Sequence, residues 1–258
     1  MVKLIVCCLV ATTGFSFSAI GTTPTKRVFI EAPRSVSLGA DRDRAIQALR
    51  QPLKERLLRV RSLGKKGLET FKELAFDPRE ALQTRWRAIT SMGQVWPRQS
   101  LSILEKALSS NKWFMRNAAM IALTYGSRKK TLEWADKLLD DKALVVRTAA
   151  VQAIDQVYGR ELSEKMWSRL NAKENFRYKK SIWIRKYIVR ALSKFGRPED
   201  TPRFVSLLRD RDARLYPYAI KGLERATGQV LGYHKATTDW KREKWLAWWR
   251  ARKKKSLN

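Results

Sequence analysis

The chain has 258 residues, of which 44% are hydrophobic, with only 12 glycines and 8 prolines. This composition supplies enough apolar side chains for a folded core and excludes wholesale disorder. The 54 lysines and arginines outnumber the 24 acidic residues, and the resulting net charge of +30 favours anionic partners such as nucleic acid, anionic lipid, polyanionic polymers or acidic proteins.

Residues 1–21 have the layout of a secretory signal peptide. A lysine is followed by the short apolar run LIVCCLVATT and then by small residues. The run is too short to span a bilayer as a permanent helix. Cleavage is expected after Ser18 or after Gly21, which predicts export to the periplasm or beyond. Because both cysteines, Cys7 and Cys8, lie in this segment, the mature protein is predicted to contain none.

Residues 22–40 are rich in Thr, Pro and Ser and are predicted to form an extended linker. Helical periodicity begins near Asp41, whose carboxylate suits a helix N-terminus. Residues 41–65 are therefore predicted to form an N-terminal helical cap. Because Pro52 cannot donate a backbone hydrogen bond, a second helix is expected to start there.

Residues 66–228 contain a repeat, in which an anchor residue begins an apolar helix rich in small side chains. Successive anchors are separated by 31, 31, 38 and 31 residues. A period in this range predicts stacked helical hairpins. A glycine near the end of each anchored helix is expected to take the left-handed conformation. The anchors are Arg85, Arg116, Arg147, Arg185 and Tyr216, and the glycines are Gly93, Gly126, Gly159, Gly196 and Gly228.

The stretch Leu138–Ile154 follows the pattern L-L-x-D-x-x-x-x-V-R-x-A-A-x-x-A-I. This pattern resembles a bacterial HEAT repeat of the type also seen in bilin-lyase-like proteins. The resemblance covers residues 66–228 and implies an all-α, right-handed α-solenoid of about five HEAT-like hairpins with helical caps.

In that family a loop aspartate and the helix arginine of successive repeats form a hydrogen-bonded ladder. The resemblance implies a structural role for such residues, which hold repeats together. Lys179 stands where the fourth acidic residue belongs and Tyr216 where the fifth arginine belongs, so the ladder is expected to fray there. The ladder residues are Asp77, Asn111, Asp141 and Asp210 with Arg85, Arg116, Arg147 and Arg185.

The sequence contains few of the residues that catalysis or metal binding requires. The chain has one histidine, His234, and no cysteine outside the signal segment, so the ligands of a zinc site or a Ser-His-Asp triad are missing. No glycine-rich phosphate loop is present. The sequence therefore predicts no catalytic residue, metal site or cofactor.

The step of 38 residues contains an insert within Asn171–Ser181 (NAKENFRYKKS). Inserts in solenoids form loops on one face, often the binding face. The alternative is a solvated loop whose aromatic rings pack back onto the repeat. The candidate partner-binding residues are Phe176, Arg177, Tyr178, Lys179 and Lys180 in the insert, and Arg87, Asn117, Gln152, Lys186, Arg190, Lys221 and Arg225 on the anchored helices.

Residues 229–258 form a basic segment rich in tryptophan. The stretch resembles the T-G-Q-x-x-G-Y…W-x-x-W-W ending of many bacterial HEAT-repeat proteins. Its tryptophans are predicted to cap the open end of the solenoid. The alternative is a helix that lies on an anionic membrane surface. The residues concerned are Trp240, Trp245, Trp248 and Trp249.

These observations favour an exported, non-enzymatic interaction scaffold whose basic surface binds an acidic protein or polyanion. Two alternatives remain. One is a DNA-binding protein resembling the HEAT-like alkylpurine DNA glycosylases, for which Trp183 and Asp155 supply the residue types but no further motif. The other is a peripheral envelope or membrane-surface binder that uses the Trp/Lys tail.

Overall fold

The structure is a computed structural model that describes residues 34–233 and 235–255. This part of the chain is all-α apart from a two-stranded antiparallel hairpin. The predicted signal peptide, most of the predicted linker and His234 lie outside the described residues. None of the helices in the described ranges is both long enough and apolar enough to cross a membrane.

The helices follow one another with short connections. They are α1 (Arg34–Arg50), α2 (Leu53–Ser62), α3 (Gly64–Phe76), α4 (Leu82–Val95), α5 (Leu101–Leu108), α6 (Trp113–Leu123), α7 (Arg128–Leu138), α8 (Leu144–Gln156), α9 (Ser163–Leu170), α10 (Trp183–Phe195), α11 (Thr201–Leu207), α12 (Tyr216–Thr227) and α13 (Thr238–Lys255). The strands are β1 (Phe176–Arg177) and β2 (Lys180–Ser181).

The helices pack in pairs, and the second helix of each pair also packs on the second helix of the next. The pairs are α3 with α4, α5 with α6, α7 with α8, α9 with α10, and α11 with α12. The even-numbered helices α4, α6, α8, α10 and α12 form a continuous series of neighbours. We call α3, α5, α7, α9 and α11 the first helices, and α4, α6, α8, α10 and α12 the second helices.

The two ends of this series are covered by further helices. At the N-terminal end, α1 packs against α3 and α4, and α2 packs against α4. Pro52 precedes α2 directly, as the sequence predicts. The linker prediction was too long, because residues 34–40 belong to α1. At the C-terminal end, α13 packs on α11 and α12.

Small residues allow the second helices to approach closely. Ala118, Ala119, Ala149 and Ala150 are buried between neighbouring helices. Gly93 lies inside α4, and a Cβ atom there would stand 2.5 Å from the Cβ of Ala122 in α6. The prediction of a left-handed glycine was therefore wrong at this position, where the requirement is space.

The left-handed prediction also fails at three of the other four glycines. Among these five glycines, only Gly228 has a positive φ, of +68°, where it ends α12. After α8 the left-handed residue is Tyr158, with φ of +56°, and not Gly159. The Tyr158 hydroxyl donates a hydrogen bond to the carbonyl of Lys194 at 2.9 Å, which links the end of α8 to α10.

Replacing Gly93 with alanine should destabilise the protein. The added methyl group would force α4 and α6 apart, and overpacking of this kind costs about 1–3 kcal/mol. Chemical unfolding of the variant measures this free energy. The control is Gly39→Ala in α1, where a Cβ meets nothing within 4 Å and where alanine should stabilise the helix by up to about 1 kcal/mol. Equal stability of the two variants would contradict the close approach.

Candidate interaction surface

Four arginines at the starts of the second helices donate to carbonyl groups at the ends of the first helices or in the turns that follow them. The last carbonyls of a helix have no partner inside the helix, so they require an external donor. The acceptors are the carbonyl oxygens of Ala75 for Arg85 (3.0 Å), Ser110 for Arg116 (2.8 Å), Asp141 for Arg147 (2.9 Å) and Leu170 for Arg185 (3.3 Å). Each arginine therefore ties the two helices of its own pair together.

Two of these arginines also bind an aspartate of the next pair. Arg116 donates to both carboxylate oxygens of Asp141, at 2.6 and 2.8 Å. Arg185 donates to both oxygens of Asp210, at 3.2 and 2.6 Å. Arg116 and Arg185 are almost fully buried. Each guanidinium therefore depends on the carboxylate of the next pair for compensation of its charge.

The environment of both aspartates favours the charged form. Burial by itself would raise the pKa of Asp141, but hydrogen bonds from the Arg116 guanidinium and from the Ala143 amide outweigh it and hold the pKa below its usual value. The pKa of Asp210 is lowered in the same way by Arg185 and by the amide of Asp212, again against the effect of burial.

The partner of Arg147 is Asn175, not Lys179. Arg147 donates to the side-chain oxygen of Asn175 at 3.3 Å and to the carbonyl of Glu174 at 3.1 Å. The Asn175 amide in turn donates to the carbonyl of Arg169 at 2.8 Å. Counting back from Arg185 by the repeat spacing places Lys179 at the position of the acidic residue. Because the hairpin β1–β2 lies between Asn175 and α10, the insert displaces the acceptor toward the N-terminus.

Arg85 departs from the predicted ladder. The described residues show no hydrogen bond between Arg85 and Asn111, and the Arg85 guanidinium lies instead over the ring of Phe114, at 5.0 Å. Asp77 binds an arginine that sequence reasoning missed, since Arg42 of α1 donates to it at 2.9 Å. The N-terminal cap therefore supplies a donor of its own. Arg42 precedes Arg85 by 43 residues, which is not the spacing of the repeat, so the periodic pattern did not reveal it.

At the C-terminal end Tyr216 and Arg242 replace the missing arginine. The Tyr216 hydroxyl donates to the carbonyl of Asp210 at 2.7 Å. Arg242 of α13 stacks on the Tyr216 ring at 5.0 Å and donates to the carbonyl of Leu208 at 2.6 Å. The series of guanidinium groups therefore continues through α13, where the sequence predicted that it would fray.

The hairpin β1–β2 divides the predicted insert residues into two groups. Phe176 is half-buried beneath the Arg185 guanidinium, 4.7 Å from the ring centroid, so it is a packing residue and not an accessible contact. Tyr178 is 85% exposed, and Arg177 stacks on it at 5.4 Å. Tyr178 and Lys179 form the two-residue turn, with φ of +49° and +60°. Arg177, Lys179 and Lys180 are exposed.

The remaining partner-binding candidates lie on the second helices and differ in their availability. Arg87 donates to the carbonyl of Leu49 at 2.9 Å and so binds the N-terminal cap. Asn117 accepts from the Trp86 indole at 3.0 Å and donates to the carbonyl of Val145 at 3.0 Å. The other candidates are Gln152, Lys221 and Arg225, which are exposed, and Lys186 and Arg190, which are half-buried.

Asp155 is held by two cations of α10. Arg190 donates to it at 3.2 Å, and the Lys194 ammonium lies 2.5 Å from its other oxygen. The two cations therefore compensate this carboxylate within the fold. Within residues 34–233 and 235–255, no three His, Cys, Asp or Glu side chains come together as a metal site would require.

Sequence reasoning missed a row of exposed apolar residues along the second helices. Each residue lies in the first turn of its helix. They are Leu82 on α4 (48% exposed), Trp113 on α6 (46%), Val145 on α8 (37%) and Trp183 on α10 (48%). We call these four residues the apolar row. The sequence offered one indication of this row. Trp113 and Phe114 are adjacent in a helix, so only one of the two aromatic side chains can face the core and the other must be exposed.

The first helices have a different electrostatic character, because many of their cations are paired. Lys165 of α9 lies 2.9 Å from Asp136 and 3.2 Å from Asp140, both near the end of α7. Arg203 of α11 lies 2.9 Å from Glu164 of α9. Exposed pairs of this kind contribute little stability individually. They neutralise part of the positive charge on this side, where Lys65, Lys66 and Lys129 stay exposed without an ion pair among the described residues.

The tryptophans of the C-terminal helix α13 differ in how deeply they are buried. Trp245 is fully buried and meets Trp248 edge to face, at 5.2 Å between ring centroids. Trp248 and Trp249 are half-buried. Trp240 is 37% exposed and packs edge to face on Tyr233 at 5.4 Å.

Comparison with known proteins bears on the fold alone. Neither a protein-family model nor a curated protein matches the sequence. Among solved structures, the chain is similar to the crystal structure of an engineered protein, a Northeast Structural Genomics Consortium target. The two share 16% sequence identity with a TM-score of 0.50, over 75% of this chain and 91% of the other.

Acid should weaken the links between helical pairs. Unfolded aspartate has a pKa of about 3.9, whereas the pKa values of Asp141 and Asp210 are lower in the folded protein. Their contribution to stability is therefore complete above the unfolded value and is lost as the pH falls through the folded values. We expect the urea midpoint to decrease from pH 7 to about pH 3. The double variant Asp141→Asn/Asp210→Asn should be less stable at pH 7 and should show a smaller decrease.

The matched control is Asp43→Asn, which removes an exposed carboxylate of α1. This variant should keep the full pH dependence of the wild type. The double variant should retain some dependence, because Arg214 and its amide hold the pKa of Asp212 at about 2 despite burial. An unchanged decrease in the double variant would contradict the assignment.

Removing the Trp245 side chain should destabilise the protein strongly. Truncation of a fully buried tryptophan to alanine costs about 3–5 kcal/mol, because a cavity remains. Trp240→Ala, at 37% exposure, should cost under about 1.5 kcal/mol by comparison. The free energies of unfolding of the two variants provide the measurement. A loss of under about 1.5 kcal/mol in both variants would mean that the packing of Trp245 against α11 and α12 is unimportant for stability.

Proposed function

We propose that this protein is a non-enzymatic interaction scaffold, an α-solenoid of about five HEAT-like hairpins whose basic surface binds an acidic protein or polyanion. The pairing of α3 to α12 and the series of second helices support the solenoid architecture. The bidentate Arg116–Asp141 and Arg185–Asp210 contacts support the HEAT-like repeat. Export of the mature chain rests on residues 1–21 and stays a prediction from the sequence.

The observation that carries this proposal is a group of exposed, unpaired cations along the second helices and in the hairpin β1–β2. Cations of α9 and α11 meet carboxylates, as Lys165 and Arg203 do. On the side of the second helices, exposed cations stand without an ion pair among the described residues. These are Lys112, Lys142, Lys179, Lys180, Lys221 and Arg225. Such a surface has a positive potential that attracts an anionic partner.

The arrangement favours an acidic protein over the two alternative partners. A membrane-surface helix needs accessible tryptophans, whereas Trp245 is fully buried. A glycosylase-like DNA site needs an available carboxylate, whereas Asp155 is paired with Arg190 and Lys194.

Neutralising the insert should weaken the binding of anionic probes. The variant replaces Lys173, Arg177, Lys179 and Lys180 with glutamine, and the probes are poly-glutamate, oligothymidine and vesicles with anionic lipid. We expect the wild type to bind poly-glutamate with an affinity that falls at least about tenfold between 50 and 200 mM salt. The variant should bind several-fold more weakly with a smaller salt dependence, as measured by fluorescence anisotropy.

The control variant loses the same number of positive charges from the N-terminal helices, with Lys54, Arg61, Lys65 and Lys66 replaced by glutamine. These four side chains are exposed and lie away from the insert. An equal loss of affinity in both variants would show that net charge alone drives binding. Binding that ignores salt, or preferential binding of vesicles, would overturn the proposal.

A further inference from the structure

The apolar row is a connected surface, because hydrogen bonds link its helices on the same side. In a helix, residues four apart lie on one face, so Leu82 lies above Trp86 and Trp113 above Asn117. The Trp86 indole donates to Asn117 at 3.0 Å, and Asn117 donates to the carbonyl of Val145 at 3.0 Å. Leu82, Trp113 and Val145 therefore belong to one surface that spans α4, α6 and α8.

The fourth member joins this surface through its own indole. The Trp183 N–H donates to the Thr148 hydroxyl at 3.3 Å, which ties α10 to α8 one turn below Val145. This bond fixes the orientation of the indole while 48% of the side chain stays exposed. An aromatic ring that is held in place and still accessible loses little conformational entropy when it binds a partner.

A lysine stands beside each of the three members on α6, α8 and α10. Lys112 directly precedes Trp113, Lys142 precedes Val145 by three residues, and Lys180 precedes Trp183 by three. All three lysines are exposed, and none forms an ion pair among the described residues. The starts of the helices add partial positive charge at the same edge. A partner of this row therefore needs apolar and acidic groups in alternation.

The spacing of the helices matches an extended chain. Neighbouring packed helices lie about 8–10 Å apart, so four helices present contacts over about 27 Å. A polyproline II segment has three residues per turn and rises about 3.1 Å per residue, so it repeats its face every 9 Å or so. One turn of such a segment thus corresponds to one second helix.

The row suits a peptide better than a single-stranded nucleic acid. Two members, Leu82 and Val145, are aliphatic and offer no aromatic face on which a base would stack. Tryptophan and aliphatic side chains together form the kind of groove that receives proline rings. Among the described residues, only Lys112 stands unpaired at the start of α6 and only Lys142 at the start of α8, which is a low density of cations for a phosphate backbone.

We infer that the apolar row binds an extended, acidic, proline-rich segment of a partner protein in the polyproline II conformation, with one turn of the segment on each of α4, α6, α8 and α10. This inference rests on the proposed function and specifies the partner. Trp113 and Trp183 contact the proline rings, and Lys112, Lys142 and Lys180 pair with the carboxylates between them. The hairpin β1–β2 precedes α10 directly and borders the row beside Trp183.

The test is a titration of the full protein with a fluorescent peptide of about twelve residues, made of repeated Pro-Pro-Glu units. One comparison peptide carries Gly-Ser-Glu repeats, which have the same charge and no polyproline preference. A second carries Pro-Pro-Lys repeats, and oligothymidine is the nucleic-acid probe. We expect the Pro-Pro-Glu peptide to bind at least about tenfold more tightly than the Gly-Ser-Glu peptide, and the Pro-Pro-Lys peptide not to bind.

The protein variants are Trp113→Ala, Trp183→Ala and Lys142→Glu, and the matched control is Trp240→Ala, a tryptophan of similar exposure on α13. The first three should each weaken binding of the Pro-Pro-Glu peptide about tenfold, and the control should leave it unchanged. Circular dichroism and chemical unfolding of each variant report whether the fold is retained, and Lys142→Glu tests the row without removing any packing.

The outcomes separate this inference from the proposed function. If poly-glutamate binds with salt dependence while the three variants bind the Pro-Pro-Glu peptide like the wild type, the row is not the site and the scaffold proposal stands. If no anionic probe binds, both fail. Tighter binding of oligothymidine, lost in Trp113→Ala and Trp183→Ala, would overturn the peptide inference in favour of a nucleic-acid surface.

Discussion

Arg116 donates to the Ser110 carbonyl of its own helical pair and to both oxygens of Asp141, in the turn between the two helices of the next pair. The stacking of the helical pairs depends on contacts of this type. A helix ends with carbonyl groups that need donors, and a buried guanidinium needs both acceptors and a compensating charge. One arginine meets the first need, and the aspartate of the following pair meets the second. The same side chain therefore completes one hairpin and fixes the position of its neighbour.

This arrangement tolerates substitution as long as each group keeps a partner of suitable chemistry. Asn175 accepts from Arg147 without carrying a charge, and Tyr216 with Arg242 serves the last pair through a hydroxyl and a guanidinium from another helix. Arg42 supplies a donor to Asp77 from the N-terminal cap. The helices at both ends thus join the hairpins through polar contacts as well as through apolar packing.

The two sides of the hairpins differ because their charges have different partners. Several cations of the first helices meet carboxylates from neighbouring pairs, which neutralises part of the charge on that side. Along the second helices, the anchor arginines form hydrogen bonds inside the fold, while the lysines just before them face solvent. The exposed area of Trp113 and Trp183 is unfavourable in water, and it lies beside unpaired lysines. This is the physical basis for proposing a recognition surface on this side.

The sequence by itself determined the helical class, the pairing of the helices and the four anchor arginines that join them, because these depend on local periodicity and on spacing between repeats. It did not reveal Arg42 and Arg242, which lie on the helices that cover the two ends. It did not determine which acceptor each arginine meets. The repeat period places Lys179 at the acceptor position and predicts fraying there, whereas Asn175 accepts from Arg147, because the insert changes the spacing without changing the geometry of the site. Left-handed conformation was assigned to Gly93, where the requirement is the close approach of Ala122. Only the tertiary structure decided which of two adjacent aromatics, Trp113 or Phe114, is buried, because burial depends on the neighbouring helix.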